Sequence, residues 1–170
     1  MPSDFDAELV LGKIFERAIE TKMKVGQMYN QFAQMFSHVP EANDFWKKMN
    51  LNLVAHADWL KETKESLSKE EVLSLPEVDL VLKIHSIRNL FDRSSRKEVG
   101  NLHDAYEIAN EIESSDINDL FKILTNEFIY SDRKREFILD AIEKHRAQIQ
   151  IFPEKFSGGM KEIKANGAIE

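Results

Sequence analysis

The chain has no cysteine among its 170 residues. That excludes disulfides, thiolate zinc and iron–sulfur sites, and a cysteine nucleophile. Glycine and proline are scarce, at 6 and 4 residues, so few positions interrupt a helix. No stretch approaches the roughly 20 apolar residues that span a bilayer. The N-terminal "MPSDFDAELVLGKIFERA" lacks the basic region and apolar core of a secretion signal. A soluble, cytoplasmic protein without a membrane partner is expected. Basic side chains are also in deficit, 23 against 30 acidic, and the net charge of −7 disfavours nucleic acid as a partner. A Gly-rich phosphate loop, H-E-x-x-H, G-x-S-x-G and any evident nucleophile–base pair are missing as well.

What is present is helix periodicity. Leu11, Phe15, Ala18, Lys22, Val25, Tyr29, Phe32 and Phe36 recur at alternating spacings of four and three, which is the seam of a bundle helix. Lys22 interrupts it. "SHVPEAND" ends this helix and begins a second, because Pro40 suits a first helical turn and Glu41 faces the positive end of its dipole. The second stripe is Ala42, Trp46, Met49, Leu53, His56 and Leu60. Residues 67 to about 100 form a long connection, with Ser74 and Glu77 around Pro76 marking the start of a short extra helix. A third long helix is expected from Leu102 to Leu124, with Glu113 on its seam. The fourth carries Phe128, Asp132, Arg135, Leu139, Ile142, Arg146 and Ile149, after a turn near Thr125 and Asn126. The expected division is a helical domain over 1–152 and a polar, mobile tail over 153–170.

Two helical hairpins joined by a long crossover define an all-α, ferritin-like four-helix bundle. The segments "AIETKMKVGQMYNQFA", "FWKKMNLNLVAHADWLKE", "HDAYEIANEIESSDINDLF" and "EFIYSDRKREFILDAIEKH" together resemble the rubrerythrin-like branch of the ferritin superfamily, over about residues 8–150. The resemblance implies a di-iron site made of one Glu on each of two helices and a Glu-x-x-His pair on each of the other two. Position by position, it is degenerate here. Lys22 stands at the first Glu, Leu53 and His56 at the first pair, Glu113 at the second Glu, and Asp132 and Arg135 at the second pair.

Only His56, Glu113 and Asp132 of that set can ligate a metal, and two cations oppose it. The same positions make sense as a core ion-pair network of Lys22, Glu113, Asp132 and Arg135, since buried charges require partners. The expected function is a non-catalytic, structural or interaction bundle without a cofactor. The alternative is an iron-binding oxidoreductase with a reduced or altered site, into which Glu16, Glu20, Glu111 or Glu127 enters if the register slips. His38, His85, His103 and His145 lie near helix ends or among charges and are expected at the surface. Self-association as a homodimer is the expected oligomeric state.

Overall fold

The computed structural model describes residues 9–156 and 158–166, which are helical throughout their regular structure. Among the described residues no helix is long and apolar enough to cross a membrane. The first helix, α1 (Leu11–Met35), and the second, α2 (Pro40–Glu65), are both unbroken and pack against each other along their length. Pro40 and Glu41 occupy the first turn of α2, as their chemistry favours. At Gly26 a Cβ would meet Asn50 Oδ1 at 2.7 Å. This close approach, one turn beyond Lys22, holds α1 against the face of α2 that carries Leu53 and His56.

The connection is more structured than a single short helix. A short helix, α3 (Lys69–Leu73), starts at a complete capping box in which Ser68 and Glu71 satisfy each other's backbone N–H groups. It is followed by α4 (Val78–Ser94), whose start at Glu77 has no side-chain cap. Leu80, Ile84 and Ile87 are buried, where α4 packs against α1 and α6.

The expected third helix is two helices. The first, α5 (Leu102–Glu113), begins with a capping box between Asn101 and Asp104. It stops at Ser114, and α6 (Asp116–Phe128) starts anew from Ser115. The Ser115 hydroxyl donates to the Ile112 carbonyl, and Asn118 Nδ2 donates to the Glu113 carbonyl at 2.8 Å. Short polar side chains thus take over carbonyls that a continuing helix would have used.

The last long helix, α7 (Asp132–Ile151), follows a break at Ile129–Ser131, later than the turn expected near Thr125 and Asn126. Its buried residues are Ile138, Ile142, His145 and Ile149. Ile142 and Ile149 lie on the expected stripe, while Ile138 and His145 are buried in place of Leu139 and Arg146.

A 3-10 helix, Phe152–Phe156, extends α7. The described part of the tail is tied to the domain. Ala165 N–H donates to the Gly100 carbonyl at 3.0 Å, Asn166 N–H donates to the Met35 carbonyl at 2.8 Å, and Met160 and Ala165 are buried. Paired backbone and buried apolar contact hold these residues against the domain.

The core divides into two regions of different chemistry. One is dry and aromatic, with Phe45 stacked on Phe152 at 4.1 Å between ring centroids and Phe32 edge-on to Trp46 at 5.1 Å. The other is polar and is built around Lys22, His56, Glu113 and His145, all of them buried.

Candidate functional site

Four helices contribute ionisable side chains to the polar centre, and α1 contributes Tyr29 as well as a lysine. Lys22 comes from the middle of α1, His56 from α2, Glu113 from the last turn of α5 and His145 from α7. Lys22 Nζ lies 3.5 Å from His56 Nδ1 and 4.8 Å from the centroid of the Phe121 ring. An ammonium has only donors, so His56 Nδ1 accepts and the ring is neutral with its proton on Nε2. Burial, followed by the Lys22 charge and the proximity of His145, lowers the His56 pKa to about 2. Phe121 adds an electron-rich ring face to the surroundings of the ammonium.

Glu113 is the anchor. Its Oε1 accepts from the Tyr29 hydroxyl at 2.7 Å and from His145 Nε2 at 2.8 Å, and its Oε2 accepts from Asn118 Nδ2 at 3.2 Å. The His145 tautomer follows from its other side. Asn52 Nδ2, which also donates to Gln148 Oε1, reaches His145 Nδ1 at 3.1 Å, so Nδ1 accepts and Nε2–H donates to Glu113. Burial acts to raise the Glu113 pKa, but His145, Lys22 and the Tyr29 hydroxyl outweigh it and hold the carboxyl down at about 2. Burial lowers the Lys22 pKa to about 8, against an opposing pull from Glu113. The same carboxylate, with burial, pushes the Tyr29 hydroxyl well above its ordinary range.

Two residues expected at this centre lie elsewhere. Asp132 stands in the first turn of α7 with its side chain 82% exposed, paired with Arg135. Arg135 turns a second nitrogen to the Ile129 carbonyl at 3.0 Å, closing the turn that precedes α7. The two therefore form a local ion pair at a helix start and take no part in the buried cluster. Sequence reasoning missed His145, which was expected at the surface. The signal was its spacing from Ile138, Ile142 and Ile149, the face that α7 buries.

The donor set does not suit a carboxylate-bridged pair of irons, which calls for four acids with two histidines. Here there is one carboxylate, already holding three hydrogen bonds, and an ammonium stands among the two imidazoles. Among the described residues, no group of three or more His, Asp or Glu side chains is arranged to hold a metal ion. What the arrangement does chemically is hold charge in a fixed geometry, with every oxygen of Glu113 satisfied.

No family model, curated protein or solved structure matches the chain.

Proposed function

We propose that the protein is a non-catalytic, rubrerythrin-like member of the ferritin-like bundles in which an internal polar network stands where the di-iron centre would be. The observation that carries this reading is the Lys22 ammonium, buried at 2% exposure, 3.5 Å from His56 Nδ1 and under the electrostatic pull of the Glu113 carboxylate. It supplies from within the chain the positive charge that a metal would bring.

The helix placement supports the bundle reading. α1 and α5 bring Lys22 and Glu113, while α2 and α7 each bring a histidine preceded three residues earlier by a buried aliphatic, Leu53 before His56 and Ile142 before His145. That is the one-acid and Glu-x-x-His pattern with four of its six positions kept ionisable. α3 and α4 then correspond to the crossover between the two hairpins. A structural or interaction role draws on the surface, where Leu73, Leu75, Val78 and Leu82 are exposed along that crossover.

Iron loading tests the proposal. Protein incubated anaerobically with Fe(II), desalted and analysed for metal is expected to retain essentially none, whereas the triple variant Lys22→Glu, Leu53→Glu, Ile142→Glu is expected to retain about two irons per chain. Retention of about two by the unaltered chain would overturn the reading. Failure of a folded triple variant to retain iron would overturn the assignment of the six positions.

A further inference from the structure

Away from the polar centre, a groove with a volume of about 870 Å³ opens between α1, the end of α4 and the start of α5. This is within the range of small-molecule sites. Its floor is apolar, formed by Met28, Phe32, Phe91 and Ile108. One polar group stands out among them. The hydroxyl of Ser94, the last residue of α4, is buried at 1% exposure, lines the groove and has no hydrogen-bond partner. An unsatisfied buried hydroxyl carries a desolvation cost that a ligand can relieve.

The rim carries Lys24, Lys97 and Glu98, an excess of one positive charge on a chain whose net charge is −7. Lys24 pairs with Glu20 and Lys97 with Glu111, in each case with both side chains more than two-fifths exposed. Such pairs are weakly held, so either ammonium is free to turn toward an anion in the groove. Gln27 and Gln31 add neutral donors on the α1 side.

We propose that this groove binds a small amphipathic carboxylate, its hydrocarbon body on the Met28–Phe32–Phe91–Ile108 floor and its head group within reach of the Ser94 hydroxyl and the Lys97 and Lys24 ammoniums. The proposal is independent of the reading of the polar centre, because the groove shares no residue with that cluster.

Calorimetric titration of the full chain with decanoate below its micelle concentration tests it, with decanol and decyltrimethylammonium as head-group controls. Decanoate is expected to bind saturably at one per chain and more tightly than either control. Ser94→Ala removes the unpaired hydroxyl. It should leave the melting temperature of the free protein unchanged or raised while weakening decanoate about tenfold, the size of a lost hydrogen bond to a charged group. Lys97→Met should weaken decanoate several-fold and leave decanol unaffected. Absence of saturable decanoate binding, equal binding of the cationic amphiphile, or undiminished affinity in both variants would overturn the proposal. So would binding only to vesicles containing phosphatidylglycerol, since the ligand would then be a lipid surface and not a free amphiphile.

Discussion

Glu113 and Asp132 carry the same charge at the ends of two helices that pack together, and their surroundings are opposite. Glu113 ends α5 at 2% exposure and receives three hydrogen bonds from three different helices. Asp132 opens α7 with its side chain 82% exposed and has one partner three residues away. A carboxylate drawn into the interior needs long-range partners to replace its water, whereas one at a helix start remains hydrated and needs none. Position in the fold, not residue type, separates a structural charge from an incidental one.

The sharpest way to break this contrast is Glu113→Ala. It leaves the Tyr29 hydroxyl and His145 Nε2–H without their acceptor and the Lys22 ammonium without its counter-charge, and is expected to cost about 4 to 5 kcal/mol in urea denaturation. The acid side has a definite sign. The Glu113 pKa is lowered to about 2, so its contribution is fully present above the ordinary value of 4.5 and is lost as pH falls through about 2. The unaltered chain should therefore lose stability across that window, and Glu113→Ala should lose less.

Lys22→Met comes next: burial outweighs the pull of Glu113 on the ammonium, so replacing it with a neutral side chain of similar length is expected to raise stability near neutral pH by about 2 kcal/mol. The alkaline side has a slope of the same sign. With the folded Lys22 pKa lowered to about 8 from 10.5, the unfolded chain binds more protons between those values. This group alone then makes stability rise with pH across that window. Denaturation midpoints measured from pH 7 to 10.5 should show that contribution in the unaltered chain and not in Lys22→Met. A flat difference between the two proteins would mean that Lys22 titrates as a hydrated amine. The smallest effect belongs to Asp132→Ala, expected within about 0.5 kcal/mol, as for other exposed ion pairs. A loss comparable to that of Glu113→Ala would remove the distinction between the two sites.

The legible part of the centre was the part carried by uninterrupted helices. Lys22 and His56 sit in α1 and α2, which run unbroken for 25 and 26 residues, so apolar spacing counted along the chain gave their faces directly. Glu113 was legible for the same reason, since it precedes the break. Beyond Ser114 the count held for Ile117, Leu120 and Leu124, in phase with Glu113, and for Ile142 and Ile149, all of them buried, and failed at the polar positions of α7. Ser115 and Asn118 redirect the chain, and a stripe extended into the exposed first turn of α7 placed Asp132 and Arg135 inside and His145 outside. The capping boxes at Ser68–Glu71 and Asn101–Asp104 were present in the residues, but which of several polar clusters forms a cap depends on where the helices pack.

The sequence by itself determined an all-helical chain, the two long N-terminal helices, and the presence of a lysine, a histidine and a glutamate on apolar faces, because helical periodicity and charge are local properties. Only the tertiary structure decided that His145 completes the cluster, that Tyr29, Asn52 and Asn118 satisfy it, and that the C-terminal segment docks against Gly100 and Met35. Those contacts join residues far apart in the chain. Their geometry is set by where each helix begins and how closely its neighbours approach, which no single segment encodes.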